Sequence, residues 1–343
     1  MKKYKLTNVQ NSRFYIQTFF SALTIWIGIE FYFFITWLES NGGAQFSSRP
    51  PGVEAFLPIS SLMSLLLFFK TGEIHPIHPA GLFIFVAILS VSFFVGKSFC
   101  SWICPVGFIS EMVGDFGEKI QKKIFKRKIV LPKYLDYPLR SLKYLILLFF
   151  VYAIMGMTAI SLSNFLDAPY NIMSDVKMYY FFAKISQFSL IVIGSLFVLS
   201  IIIRNFWCRY LCPYGALLGI FSILSFNKIK RNTETCTDCG HCTAVCPSNI
   251  KVHKVKTVIS DECVSCLKCI DSCPIPNTLD LRTSLGKKKF DKKYVGVAIL
   301  VIYFTILAIG LVTNNWHNNI SKEKYLELYP NINSFDHLKG SGF

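Results

Sequence analysis

Twelve cysteines carry the chemistry of this 343-residue sequence, and all lie between Cys100 and Cys273. Eight fall in two runs, CTDCGHCTAVC over 236–246 and CVSCLKCIDSC over 263–273, followed by Pro247 and Pro274. Both runs read C-x2-C-x2-C-x3-C-P, the spacing at which a tight loop wraps thiolates round the irons of a [4Fe-4S] cubane. Zinc sites with four cysteines use the same soft ligands. They rarely show three evenly spaced cysteines in one closed loop with a fourth before a proline. Cubanes pass single electrons, so two in one segment make a wire. The other four cysteines form pairs in KSFCSWICPVG (97–107) and RNFWCRYLCPYG (204–215). Each pair reads C-x3-C-P, which on a helix puts both sulfurs on one face. Pro105 and Pro213 suit a helix's first turn and would kink or end one already under way.

The double run resembles the bacterial two-cluster ferredoxins. That resemblance implies crossed ligation: Cys236, Cys239, Cys242 and Cys273 on one cluster, and Cys263, Cys266, Cys269 and Cys246 on the other. The two pairs share a context of apolar span, basic residue, Phe, cysteine pair, Pro and Gly, which suggests a duplicated unit. Cys100, Cys104, Cys208 and Cys212 can then meet as one four-thiolate site. A third [4Fe-4S] cluster is the expected occupant. Thiol–disulfide chemistry or transient metal handling is the alternative, and four small packing residues the plain one.

The elements that position these cysteines belong to a membrane. Hydrophobic residues make up 52% and charged residues 16%, more apolar than a soluble core of this size requires. The net charge of +16 does not indicate nucleic acid, because Lys and Arg collect between apolar runs in the positive-inside manner. Spans are expected at 14–38, 80–96, 144–163, 186–203 and 294–315, with a short run at 56–69 read as re-entrant. The basic N-terminus leads into a retained signal anchor, since no small-residue cleavage site follows. Residues 97–143 carry ten Lys/Arg against four Asp/Glu, and 204–293 carry fifteen against seven. Both segments, and the N-terminus with Lys2, Lys3, Lys5 and Arg13, are therefore expected in the cytoplasm. Five spans satisfy that parity and six do not. Reduced thiolates also want that compartment.

The expected fold is an α-helical polytopic membrane protein of five spans plus a re-entrant segment, carrying an inserted cytoplasmic ferredoxin domain with two clusters. Its parts are a membrane domain (1–226) with two span-plus-pair units, the ferredoxin-like domain (227–290), a last transmembrane helix (291–315) and a polar periplasmic tail (316–343). The location is the bacterial inner membrane and the lipid bilayer the first partner. Lys228, Lys230, Arg231, Lys251, Lys254, Lys256 and Lys287 through Lys289 flank the clusters. They read as topology signals and lipid contacts, or as a docking face for an acidic redox partner.

Together the pairs and the double run are similar to the polytopic ferredoxin family of NapH, NosR and CcoG, over roughly residues 79–290. The resemblance implies oxidation of quinol and delivery of electrons to other respiratory subunits; the alternative it implies is metal (copper) reduction or cofactor assembly. The chain departs from the family's larger members. It has no CxxCH haem motif, no room before residue 14 for a flavin domain, and only 28 residues after its last span. A quinone site needs an apolar slot and a proton acceptor. Glu30, inside a span, and His75 and His78, beside the 56–69 run, are the candidates. No nucleotide fingerprint or phosphate loop is present, so neither nucleotide nor nucleic acid is an expected partner.

Overall fold

The structure, a computed structural model, describes residues 8–283 and 289–335. Lys2, Lys3, Lys5, Lys287, Lys288 and residues 336–343 of the tail lie outside the described residues. Helix α1 (Asn8–Glu39) opens the described chain, and α2 (Pro58–Thr71) and α3 (Pro79–Val95) follow. A single turn, α4 (Phe99–Trp102), leads into α5 (Pro105–Phe125) and then α6 (Lys133–Met155). Next come α7 (Ala159–Asp167), α8 (Pro169–Ile172), α9 (Ser174–Ala183) and α10 (Gln187–Ile202). A π-helical turn at Trp207–Leu211 precedes α11 (Pro213–Ile223). The two long cysteine runs fold with little regular structure: strand β1 (Asn227–Arg231), turns α12 (His241–Ala244) and α13 (Lys268–Asp271), and strands β2 (Leu279–Thr283) and β3 (Lys289–Phe290). Helices α14 (Val295–Val312) and α15 (Lys322–Leu328) complete the described chain.

Among the described residues, three helices are long and apolar enough to cross a membrane: α1, α6, and α14 with the turn before it (Lys292–Val312). Helices α9 and α10 make a fourth if that pair, bent by 81°, is one broken span. The expected spans at 80–96 and 186–203 are helices of 17 and 16 residues, α3 and α10, each about 25 Å long at 1.5 Å per residue. The span expected at 144–163 is displaced. Helix α6 starts eleven residues earlier, on the Pro132 carbonyl, and ends at Met155, and Thr158 then caps a separate helix by accepting from the Ser161 amide at 3.1 Å. Hydropathy located the apolar window but not the helix, whose first three turns carry charges that are satisfied by partners. The 56–69 run is the fourteen-residue α2, closed by Gly72 at φ +78.

The chain divides into two compact units. One collects the N-terminal segment to Ala22, Ile88–Leu148 and Ile193–Tyr303; the other collects Leu23–Ala87, Phe149–Val192 and the chain from Phe304. All twelve cysteines fall in the first unit, and Glu30, His75 and His78 in the second.

In the cysteine-bearing unit, β2 pairs antiparallel with both β1 and β3, with Asn227 opposite Thr283 and Leu281 opposite Phe290. Helix α5 is amphipathic. Ile109, Met112, Phe116, Ile120 and Ile124 form an exposed stripe, while Ser110, Gly114, Gly117 and Gln121 are buried on the other side. The Gln121 amide donates to the carbonyls of Ile201 and Ile202 at 3.1 and 2.8 Å, satisfying acceptors that the end of α10 leaves open.

The second unit has an apolar core of Phe31, Phe34, Ile35, Trp37, Leu38, Val53, Ile172, Met173 and Val176, joined by Tyr325, Leu328 and Ile332. A smaller core sets Met63 and Leu67 of α2 against Ile154, Leu162 and Leu166. Buried in the same unit is an ionic cluster. The Arg49 guanidinium donates to Asp175, to Glu54 at 2.8 Å and to His78 Nδ1 at 3.0 Å. Glu54 also accepts from the Gly81 amide at 2.8 Å, and His78 Nε2 meets the Asn171 carbonyl at 2.9 Å.

Candidate iron–sulfur sites

The eight cysteines of the double run line two small cavities, and the division is crossed. Cys236, Cys239, Cys242 and Cys273 line one, with Gly240, Pro274, Ile275 and Leu279. Cys246, Cys263, Cys266 and Cys269 line the other, with Ile229, Pro247, Val258 and Leu267. The fourth cysteine of each run thus reaches the other run's loop. Tight loops achieve this with left-handed residues, Asp238 and Gly240 in the first run and Ser265 and Leu267 in the second. Cys242, Cys266 and Cys269 are buried and Cys239 is exposed.

The four paired cysteines gather in the same unit. Cys104 and Cys212 are the N-cap residues of α5 and α11, with Pro105 and Pro213 in the first turn, so both helices point their N-terminal amides at the pairs. Cys212 Sγ accepts from the Gly215 amide at 3.3 Å. In each unit the second cysteine's amide reaches back five residues, Cys104 to the Phe99 carbonyl and Cys212 to that of Trp207, both at 3.0 Å. The second motif holds one extra residue between basic residue and pair, and its residues Trp207–Leu211 form a π-helical turn. Gly107 and Gly215 permit the close turn: a Cβ on Gly107 would lie 2.1 Å from the Cys100 carbonyl oxygen, and one on Gly215 would lie 3.3 Å from that of Cys208.

These thiols are costly to ionise as free groups. Burial pushes Cys100 up to about 11 and Cys208 up to about 12, and their own neighbouring sulfurs add to it. Burial also lifts Cys104 and Cys269 well above the thiol range and Cys263 to about 12. Bound iron would supply the missing counter-charge, because a coordinating thiol is deprotonated by its metal. The surroundings fit a cluster. The donors are soft thiolates only, the walls are apolar, and amides of Gly215 and Ile250 bond sulfur at 3.3 and 3.4 Å. Among the described residues no three His, Cys, Asp or Glu side chains converge on a single-ion position. The eight cysteines of the double run line two small cavities instead.

A ladder of alternating charges holds the loop of the second run against the start of α6. Lys143, fully buried, bonds Glu262; Arg140 meets Glu262 at 3.5 Å and Asp261 at 3.2 Å; Arg140 and Arg209 share Asp136. The hydroxyls of Tyr144 and Tyr210 donate to Asp261 and Asp136, each at 2.6 Å. A second tie runs through Glu111. Arg13 donates to both its carboxylate oxygens at 2.7 Å and Lys268, beside Cys269, donates at 2.6 Å. Gln10 donates to the Cys266 carbonyl and to Asp271, both at 3.0 Å. Several of the basic residues flanking the double run have partners nearby: Lys230 the Thr283 carbonyl, Arg231 Asp238, and Lys289 Asp280.

The structure does not assemble Glu30, His75 and His78. Glu30 accepts from Trp26 on its own helix at 3.0 Å, His78 is locked into the Arg49 cluster, and His75 Nε2 faces Asp167 at 3.4 Å.

Known families match the stretches that carry these cysteines. Residues 77–129 and 185–232 each match a 4Fe-4S binding domain, one C-x3-C-P pair in each, and residues 228–274 match a 4Fe-4S dicluster domain. YccM of Escherichia coli K12, assigned by name to electron transport, is 40% identical over 92% of this chain and 89% of its own length. The chain belongs to the membrane-associated 4Fe-4S ferredoxin-type family. Within the family, the methylamine utilization ferredoxin-type protein MauN of Methylorubrum extorquens is 28% identical over 64% of this chain and 73% of its own. The ferredoxin-type protein NapH of Haemophilus influenzae is 29% identical over 55% and 63%. No solved structure matches. Sequence reading missed Lys97, Lys143, Glu262 and Glu111. Lys97 and Lys143 were counted only as topology charges, and the available signal was their adjacency to cysteine motifs or to helix-start carboxylates.

Proposed function

We propose that this membrane protein relays single electrons between the quinone pool and a redox partner through three [4Fe-4S] clusters. The observation that carries the reading is the crossed division of eight cysteines between two cavities in the same compact unit as the four paired cysteines. A zinc ion in tetrahedral sulfur coordination at 2.3 Å would pull sulfurs to about 3.8 Å apart. Rings of thiolates that converge on no single-ion point suit a cubane better. The four paired cysteines, fed by two helix N-termini, are assigned the third cluster.

Charge supports the assigned sidedness: the basic segments 97–143 and 204–293 are assigned to the cytoplasmic side, and the weakly charged loops at 39–55 and 164–185 to the periplasmic side, of a bacterial inner membrane. On the periplasmic side His75 is the proposed quinone contact. Its buried Nδ1 has no partner among the described residues while Asp167 holds the other nitrogen, an arrangement suited to taking a proton from a hydroxyl. Glu30 and His78, already partnered, take supporting places.

The test is iron and acid-labile sulfide per purified chain, with an EPR titration and a quinol analogue as reductant. About twelve irons and reduction of at least one cluster by quinol are expected. Clusters that stay oxidised with every quinol, or a topology reporter placing residues 236–273 outside the cell, would refute the reading.

A further inference from the structure

Lys97 precedes the first cysteine pair and is 3% exposed. Its ammonium sits over the turn that carries the second pair: a Cβ on Gly215 would lie 3.5 Å from Lys97 Nζ and 3.7 Å from Cys212 Cβ. A buried ammonium needs a counter-charge at close range. The groups acting most strongly on Lys97 are Cys100, Glu262, Cys212 and Cys208, of which only Glu262 is a carboxylate; Asp261 and Lys143 also act on it.

Glu262 is already committed. It takes the Lys143 ammonium directly and faces Arg140 at 3.5 Å. Along the ladder the cations are Lys97, Lys143, Arg140 and Arg209, and the carboxylates are Glu262, Asp261 and Asp136. One positive charge is left over, and Lys97 stands at the end nearest the paired cysteines. Its counterpart in the second cysteine-pair motif, Arg204, has its own carboxylates, Asp115 at 2.6 Å and Glu118 at 3.1 Å. The duplicated motif therefore spends one of its two basic residues on protein anions and leaves the other facing sulfur.

We infer that Lys97 is the charge-compensating residue of the four-cysteine site and sets the reduction potential of the cluster held there. A reduced cluster carries one more negative charge than an oxidised one. A fixed cation buried beside it stabilises the reduced form more and raises the potential. The inference rests on the assignment of a cluster to Cys100, Cys104, Cys208 and Cys212. Lys97 acts on it through charge alone; it is a positioning and tuning residue, not a ligand.

The experiment titrates the full-length detergent-solubilised protein with a chemical one-electron reductant, followed by EPR, with iron and sulfide counted on each sample. The signal of the membrane-edge cluster is the one lost when all four paired cysteines become serine. Lys97→Met should lower its midpoint so that the reduced-to-oxidised ratio at fixed potential falls at least tenfold, which is about 59 mV for one electron. Lys97→Arg should restore it. A Lys97→Met protein with about twelve irons and an unchanged midpoint overturns the inference. If Lys97→Met drops to about eight irons while Lys97→Arg keeps the third cluster, charge compensation is supported as a condition for holding it. If both lose it, shape rather than charge is at work and the inference falls. Wild-type protein with about eight irons, unchanged in the four-serine variant, would instead sink the underlying cluster assignment.

Discussion

In the unit that carries Arg49, each member of the buried ionic cluster has a protein partner. Arg49 faces Asp175, Glu54 and His78, and burial, which opposes charge on Glu54, is outweighed by Arg49 and His78, so its carboxyl stays below the usual range. In the unit that carries the cysteines the charges do not close on themselves. Eight sulfurs line two small cavities, and a buried ammonium faces the paired cysteines while Glu262, the carboxylate that acts on it most, is already engaged by Lys143. A polar cluster that satisfies itself is a structural device. One that leaves thiols and a cation facing each other is built around something else, and the contrast separates scaffold from site in a chain where both are buried.

The largest expected effects test whether the cysteine-bearing unit holds crossed clusters. Cys246→Ser and Cys263→Ser should abolish one and the same EPR signal and remove about four irons each, while Cys273→Ser and Cys236→Ser abolish a different one. Uncrossed behaviour, with Cys246 and Cys236 affecting the same signal, would discard the assignment. Next in size is the self-satisfied cluster. Arg49→Met leaves Asp175 and Glu54 buried without their cation and should destabilise the protein by about 3–5 kcal/mol, seen as a lower thermal midpoint in detergent. Iron per folded chain should not change. Loss of iron at unchanged stability would mean that the two units do not divide scaffold from site as argued.

How much of this was legible in the sequence differs by kind of information. The ligand spacing in 236–246 and 263–273 predicted the loops, because thiolate chemistry and loop closure are local. The C-x3-C-P pairs were expected on one helix face, yet Cys104 and Cys212 cap new helices, with proline in the first turn, so each pair straddles a helix start. The start of α6 was missed because Asp136, Arg140 and Lys143 look like a cytoplasmic loop until their partners Arg209, Asp261 and Glu262 are known, and those come from 73 to 122 positions further along. Hydropathy cannot see ion pairs made across such separations. Arg49 likewise takes its partner Asp175 from 126 positions further along.

A finer comparison lies between the two cysteine pairs. Alanine at Gly107 would set a Cβ 2.1 Å from the Cys100 carbonyl oxygen, against backbone that cannot yield cheaply, whereas alanine at Gly215 meets the Cys208 carbonyl at 3.3 Å. Gly107→Ala should therefore cost about 2–3 kcal/mol and deplete the third cluster's iron. Gly215→Ala should do so to a smaller degree. Equal losses in iron analysis would show that the two turns are more alike than their distances indicate.

The smallest expected effect concerns Glu111, where the N-terminal helix, α5 and the second cysteine run meet. Burial alone would raise its carboxyl, but the hydrogen bonds and charges of Arg13 and then Lys268 outweigh burial and hold it well below the usual carboxylate range. The folded value is thus depressed relative to an unfolded value of about 4.3. Such a group contributes stability above the unfolded value and loses it only as pH falls through about 4.3 toward the folded one. Glu111→Gln keeps one oxygen acceptor for Arg13 and removes the charge, so it should cost about 1–2 kcal/mol at pH 7. Because Glu111 stays ionised throughout, the gap in thermal midpoint between wild type and variant should be the same at pH 7 and pH 5. A gap that narrows across that window would mean that the carboxyl titrates near or above its ordinary value. The tie through Arg13 and Lys268 would then be weaker than its 2.6–2.7 Å geometry implies, and the N-terminal helix would owe its attachment to Gln10 instead.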